Sequence, residues 1–513
     1  MTTLPHHRAL DIGPSTSAVL ARLGEHAATR TKSTAMRDSA ADGEERTTNW
    51  GELERAVASL AERLRKMDAP GRVVMLSCPN RAEFVAAFLA VLAADAWVMP
   101  VHPRLTASEL RALAARCEAR AIIATDETLE SLAGAGVAPI RVESVLCDTR
   151  MPPLSRFRSG GGRGGLYLQS SGTTGLPRIA IRSAASLDAV AANVAWAAAL
   201  KTTDEVLACI PLGHSYGLEN GLLGPVWAGT CIRIVDGFDP HVVRRHLRES
   251  SSVFPGVPFM FDALAPSEIT LQAERDGAPV PVAEDALRLC YSAGSPLPSA
   301  VAERFQHRFR VSVGQLYGAT EIGSVTFNET APGEFHPRCV GGPLPGVRIL
   351  TLDSMNPDVE RPLPPGVEGQ VAVFAPSMLD GYLDGEVPVT GGFFLTGDLG
   401  RIDEHSRLWI TGRLKLQIDV GGLKVNPAEV EEALLEHPAV AECVVVAMPL
   451  SSTIARVRAI VVAAADRQVS EEELRAFLSE RLAPYKIPRR IQFRAALPRS
   501  PLGKLLRREI EQS

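Results

Sequence analysis

A chain of 513 residues, 46% of them hydrophobic, is longer than one core organises and can fill at least two. Lysine plus arginine number 54 against 59 aspartate plus glutamate, a net charge of -5, which gives no electrostatic footprint for nucleic acid or an anionic membrane. Eight cysteines are scattered without a CxxC pair, so neither a zinc site nor a disulfide framework is indicated and a reduced cytosol is the simplest home.

The N-terminus, MTTLPHHRALDIGPSTSAVL, has no basic segment followed by an apolar core and does not read as a signal peptide. The longest apolar run, Phe84 to Ala94, is stopped by Asp95 and is too short to span a bilayer. The first 130 residues alternate helix and strand signals. Asn49 with Glu52, Asn80 with Glu83 and Thr106 with Glu109 each place an N-cap residue three before a glutamate, as a capping box requires. Between them lie RVVMLSC, AWVMPV and AIIAT, short β-rich runs. Strand and helix in repetition predict layered α/β structure with parallel strands.

Met151 to Gly165 is rich in Pro, Gly and Arg and reads as an exposed connector. It leads into YLQSSGTTGLPR, a run of small hydroxyl-bearing residues and glycines with Arg178 behind it. Such a loop can bring several N-H and hydroxyl groups onto one oxyanion, since no bulky side chain holds the ligand off; by composition alone it reads equally as a surface turn. It is not a P-loop of the GxxxxGK[ST] type, because no Lys-Ser or Lys-Thr pair follows a glycine.

A break is expected near Arg413, dividing the chain into residues 1–413 and 414–513. Beyond it, NPAEVEEALLEH predicts a helix with Asn426 as N-cap, Pro427 at N1 and Glu429 at N3. ECVVVAM and VRAIVVAA predict strands, SEEELRAFLSERL a helix boxed by Ser470 and Glu473, and RRIQFRA a further strand. The second part is therefore expected to be a small α+β domain.

Together with SSGTTGLPR, the segments QLYGATEIG, TGDLGRID, TGRLKLQIDVGGLKVNPAEVE and PRSPLGKLLRR resemble, in order and spacing, the adenylate-forming enzymes: acyl-CoA and aryl-CoA ligases, luciferases and peptide-synthetase adenylation domains. The resemblance implies a large layered α/β AMP-binding domain and a small mobile α+β domain. It also implies a two-step reaction in which a carboxylate attacks the α-phosphorus of ATP, releasing pyrophosphate, and a thiol then displaces AMP from the acyl-adenylate.

Carried over position by position, the resemblance assigns Ser170, Ser171, Gly172, Thr173, Thr174, Gly175 and Arg178 to the β- and γ-phosphates. Arg178 stands where the family usually has lysine, and Ile179 where it has glycine. Tyr317 would stack on adenine beside Gly318, Thr320 would donate to the α-phosphate and Glu321 would hold Mg²⁺. Gly294, Ser295 and Pro296 lie in the segment lining the adenine and acyl pocket, and His214 matches the gate near the acyl carboxylate. Asp398 would accept the ribose hydroxyls, Arg413 would contact ribose and phosphate, and Lys504 would bridge the substrate carboxylate and the α-phosphate. Lys415 matches the hinge, and Gly421 and Gly422 would border the thiol tunnel.

The acyl pocket is expected among Tyr216, Gly217, Asn220, Ser292, Gly314, Gln315 and Gly323. Relatives that activate amino acids place an aspartate near the equivalent of His214. Here only Glu219 could take that part, so a non-amino carboxylic acid is expected. The acceptor reads first as coenzyme A, with the pantetheine arm of a separate acyl carrier protein as the alternative. A non-catalytic nucleotide-binding homologue is a third reading, disfavoured by the intact Glu321, Asp398, Arg413 and Lys504. No membrane span or nucleic-acid partner is expected, and the resemblance is compatible with a homodimer.

Overall fold

The computed structural model describes residues 17–39, 44–132, 136–147, 164–170, 178–265, 286–329, 333–416, 418–420, 423–449, 455–465, 467–499 and 505–511. The Met151–Gly165 connector, apart from its last two residues, lies outside them.

The three β-rich runs of the first segment form strands Val73–Ser77, Trp97–Pro100 and Ala121–Ala124, paired in parallel as their alternation with helices predicts. Among the described residues they are the middle of a seven-stranded sheet that also holds Ala138–Arg141 on one side and Gly165–Ser170, Arg178–Ser183 and Gly381–Tyr382 on the other. The strands flanking the phosphate-loop motif, Gly165–Ser170 and Arg178–Ser183, are antiparallel neighbours, so the motif is the connection of a hairpin. Its residues 171–177 lie outside the described ones.

Capping explains where the helices begin. Asn49 and Glu52 make the reciprocal bonds of a capping box, both 2.9 Å, and start helix Trp50–Lys66. Thr106 and Glu109 do the same for Ala107–Arg116, and Ser470 and Glu473 for Glu471–Ser479. The expected box at Asn80 and Glu83 does not form. Arg81 is the N-cap of helix Ala82–Ala93, which makes no side-chain cap bond. Arg46 forks onto both oxygens of Glu83 at 2.6 and 2.8 Å, and Asn80 ties Ile210 O and Leu212 N across the core. A carboxylate facing a guanidinium gains more from that cation than from a neutral N-H.

Helix Ala82–Ala93 is buried along its whole length and apolar except at Glu83. With Trp50–Lys66 and Ala184–Ala197 it fills the largest core cluster, to which both large sheets contribute: Val74 and Leu166 from the first, Met36 and Ile232 from the second. That second sheet has fourteen strands among the described residues. Its parallel half runs through Cys231–Ile234, Glu205–Ala208, Val253–Gly256, Leu289–Ser292 and Val313–Ala319. Its antiparallel half continues with Gly323–Asn328, Cys339–Pro343, Leu408–Arg413, Phe393–Ile402 and Gly369–Phe374.

In the C-terminal segment, strands Val440–Pro449, Ala455–Ala463 and Arg490–Phe493 form a separate sheet. Helices Pro427–Leu435 and Glu471–Ser479 pack on it through Val430, Leu434, Leu474 and Leu478, against Val445, Ala459 and Ile491. Asn426 caps the first of these helices, its side chain accepting from Ala428 N at 3.1 Å. No helix among the described residues is long and apolar enough to cross a membrane.

Candidate active site

The YGATE motif runs from the end of strand Val313–Ala319 into its connection with the antiparallel strand Gly323–Asn328. Gly318 allows this tight hairpin, because a Cβ there would fall 2.3 Å from Gly323 O. Tyr317 follows the buried stretch Val313 to Leu316 of its strand and donates its hydroxyl to Asp398 Oδ2 at 2.6 Å. Burial pushes the Tyr317 hydroxyl well above its usual pKa, and the charge of Asp398 adds to that, so the phenol stays a donor.

Asp398 and Arg413 face one another across the antiparallel pair Phe393–Ile402 and Leu408–Arg413. Arg413 Nε donates to Asp398 Oδ1 at 2.7 Å. The Asp398 side chain is 7% exposed and that of Arg413 53%, so the pair opens to solvent on its cationic side. The Asp398 charge is the leading cause that raises the Arg413 pKa. Asp398 therefore holds a hydroxyl on one oxygen and a guanidinium on the other, with lone pairs left for further donors. Gly397 beside it, at φ +73, has no atom within 4 Å of where a Cβ would stand. Gly294 (φ +86) is similarly open, with only Val257 within reach at 3.9 Å, and Gly294, Ser295 and Pro296 are all exposed. The Arg413 cation, the Asp398 carboxylate and the open backbone at Gly397 together suit a polyhydroxylated anionic ligand.

Glu321 lies half-buried in the hairpin connection, with Thr320 beside it. Its Oε1 accepts the Tyr382 hydroxyl at 3.0 Å, and its carbonyl accepts Leu379 N at 2.8 Å. The Arg178 guanidinium stacks 5.0 Å from the Tyr382 ring. The end of the phosphate-loop motif and the YGATE carboxylate thus meet through one tyrosine, which the sequence reading did not single out. Its only signal was an aromatic residue beside glycine in a polar stretch.

His214 is the exposed N-cap of the short helix Ser215–Leu218. Lys415 is exposed in the turn Leu414–Leu416 that follows Arg413. Ser170 closes the strand before the phosphate loop, and Ser171, Gly172, Thr173, Thr174 and Gly175 lie outside the described residues. So do Gly421, Gly422 and Lys504.

The expected acyl-pocket residues are more committed to packing than their sizes suggested. Asn220 is 1% exposed and bonds Tyr216 O and the Tyr291 hydroxyl, both at 3.0 Å. A Cβ at Gly217 would fall 2.2 Å from Pro211 O, and one at Gly314 would fall 2.9 Å from Asn328 O, so both glycines serve close backbone approach. At Gly323, Arg182 and Ser377 leave no more room. Ser292 and Gln315 pair in register on parallel strands, and Ser292 Oγ and Gln315 Oε1 are buried without a hydrogen-bond partner among the described residues. Glu219 does not face an open site. It is 1% exposed and bonded to Arg182 at 2.6 Å, which removes it as a partner for a substrate ammonium.

The family model of AMP-binding enzymes matches residues 23–163 and 165–383, and that of the AMP-binding enzyme C-terminal domain matches 429–504. The chain belongs to the AMP-binding enzymes. Among relatives of this family, "4-coumarate--CoA ligase-like 9" of Oryza sativa subsp. japonica is 30% identical over 509 residues, covering 93% of this chain and 89% of that protein. "Probable CoA ligase CCL8" of Humulus lupulus is 32% identical over 376 residues, 68% of this chain but 61% of that protein's length. In fold, ATP-bound MatB from Rhodopseudomonas palustris superposes with a TM-score of 0.83 at 23% identity, covering 97% of this chain and 99% of that one. A benzoate CoA ligase from Burkholderia xenovorans LB400 superposes with a TM-score of 0.78 at 25% identity, covering 96% and 99%.

Proposed function

We propose that this AMP-binding enzyme is an ATP-dependent carboxylate-CoA ligase acting on a non-amino carboxylic acid. The observation that carries the reading is the joining of Tyr317, Asp398 and Arg413 on three strands, with Glu321 and Arg178 linked through Tyr382. Relatives named malonate--CoA ligase, oxalate--CoA ligase and feruloyl-CoA synthase support the thiol acceptor. The acid class follows from the segment Pro211 to Gly224, whose one acidic residue, Glu219, is bound to Arg182.

In this reading Asp398 accepts the two ribose hydroxyls of ATP, and Arg413, already oriented by Asp398, reaches the ribose and α-phosphate. Arg178 and residues 170–177 hold the β- and γ-phosphates. The Glu321 carboxylate would hold Mg²⁺, a hard ion suited to it, which would supply charge neutralisation on the phosphoryl oxygens. A substrate carboxylate oxygen bonds to the α-phosphorus, the bond to the β-phosphate oxygen breaks, and pyrophosphate leaves. Lys504 holds the two reacting anions together during this step. The small domain then turns about Lys415, the CoA thiol loses its proton to solvent and its sulfur bonds to the acyl carbon, and the bond from that carbon to the AMP phosphate oxygen breaks to release AMP.

Acid-dependent exchange of pyrophosphate into ATP, run across aromatic, aliphatic and hydroxylated acids without thiol, tests the reading. One acid class should support exchange, and Lys504→Ala should lose it while still passing a supplied acyl-adenylate to CoA. Absence of exchange with every acid, or equal loss of both half-reactions in Lys504→Ala, would contradict it.

A further inference from the structure

Beneath the hairpin that carries Glu321 lies a buried charge pair to which the family resemblance assigns no role. The Arg182 and Glu219 side chains are 0% and 2% exposed, and Arg182 Nη1 donates to Glu219 Oε1 at 2.6 Å. Glu219 collects three further donors. Ser215 Oγ reaches Oε1 at 2.8 Å, while Ser324 N and Oγ reach Oε2 at 2.9 and 2.7 Å. Arg182 Nε donates to Ser186 Oγ at 3.1 Å, Ser186 Oγ to Ser377 O at 2.8 Å, and Ser377 Oγ to Ile322 O at 2.6 Å.

The segments tied together are those that the reaction must keep in register. Arg182 is on the strand that leaves the phosphate loop, four residues after Arg178. Ser215 follows His214, and Ser324 lies three residues after Glu321. Glu219 opens a π-helical turn, Glu219–Leu223, of the kind that interrupts helices frequently at functional sites. Gly323, at φ +71, leaves room for nothing else over the guanidinium, since a Cβ would fall 3.0 Å from Arg182 Nη2.

A buried ion pair adds little stability over apolar residues of the same volume. An apolar pair could hold these helices and strands apart by the same distance. It could not accept hydrogen bonds from Ser215 and Ser324 at once. From this geometry we propose that Glu219, held in place by Arg182, is a positioning residue for adenylation. It fixes the His214 segment, where the acid enters, against the connection that presents Thr320 and Glu321 to ATP. The inference rests on the ligase reading, and it adds a device that controls the first half-reaction.

The test compares Glu219→Gln, Glu219→Leu, the charge-free double variant R182M/E219L and the mild Ser324→Ala with the parent enzyme. The readouts are thermal midpoint, acid-dependent pyrophosphate exchange with its KM for acid and Mg²⁺ requirement, and CoA transfer from a supplied acyl-adenylate. The double variant, which leaves no uncompensated charge but does leave the Ser215 and Ser324 donors unpaired, should melt above Glu219→Leu alone and still exchange about 10- to 100-fold more slowly than the parent, with raised KM for acid and a higher Mg²⁺ requirement. Ser324→Ala should lose several-fold in exchange, and transfer from the adenylate should stay within about twofold in each folded variant. Recovery of both midpoint and exchange in the double variant would reduce the pair to scaffolding and overturn the inference. So would equal loss of both half-reactions. If the double variant does not fold, Ser324→Ala decides, and parent-like exchange from it is the contradicting result. Failure of the parent to exchange with any acid would remove the ligase reading itself, whereas parent exchange with indifferent variants would remove only the positioning role.

Discussion

Two clusters in this protein use the same three groups, an arginine, a carboxylate and hydroxyls, in opposite surroundings. In one, Tyr317, Asp398 and Arg413 meet where the arginine side chain is 53% exposed. In the other, Arg182, Glu219, Ser215 and Ser324 are sealed, with the arginine at 0%. In both, the carboxylate holds a cation on one oxygen and a hydroxyl on the other. Only the first leaves the cation within reach of a ligand. Solvent access, rather than residue type, separates a group that can bind from one that can only position.

The comparison breaks most visibly if the carboxylates are removed one at a time. Glu219→Leu leaves a buried guanidinium without its counter-charge and should cost about 3–5 kcal/mol of stability by urea unfolding. Asp398→Ala leaves Arg413 free to turn to water but takes the acceptor from the buried Tyr317 hydroxyl, and should cost less, about 1–3 kcal/mol. Its effect should appear as well in ATP binding, where charge-assisted hydrogen bonds of about 1.5–3 kcal/mol correspond to a roughly 10- to 100-fold rise in the KM for ATP. A large stability loss from Asp398→Ala with unchanged KM would invert the assignment of the two clusters.

Tyr317→Phe sharpens the contrast at smaller scale. Loss of its 2.6 Å bond to Asp398 should raise the KM for ATP several-fold, equivalent to about 1 kcal/mol. Its folded pKa is raised, so the stability it contributes is complete below the ordinary tyrosine value of about 10 and is lost as pH climbs beyond that. Tyr317→Phe should therefore lose less stability than the parent above that pH, measured by urea unfolding at alkaline pH. The smallest effect expected is that of salt. The coupling of Asp398 with Arg413 in a double-mutant cycle should fall between 0.05 and 0.5 M salt, roughly, while that of Arg182 with Glu219 should hold.

How much of this was legible in the sequence depended on how far apart the partners lie along the chain. Capping boxes at Asn49, Thr106 and Ser470 were readable because both halves sit within one turn. The identical spacing at Asn80 and Glu83 failed because Arg46, 37 residues away from Glu83, supplies a stronger partner. The parallel strands from Val73 to Ala124 were readable from their composition and rhythm. Asp398 and Arg413, 15 residues apart on neighbouring strands, were both picked out by motif, although not their mutual bond. Glu219 was read as a residue that could face substrate, because nothing in PLGHSYGLENGLLG announces a buried arginine 37 residues earlier. Tyr382, 61 residues from Glu321, was missed for the same reason.

The central claim, that this enzyme cleaves ATP between its α- and β-phosphates to join a carboxylic acid to coenzyme A, is tested most directly by product analysis of one complete reaction. With an acid that supports exchange, ATP and CoA, chromatography should show acyl-CoA and AMP in equal amounts, with pyrophosphate. ADP and phosphate in place of AMP, or AMP formed without acyl-CoA when CoA is present, would contradict the account.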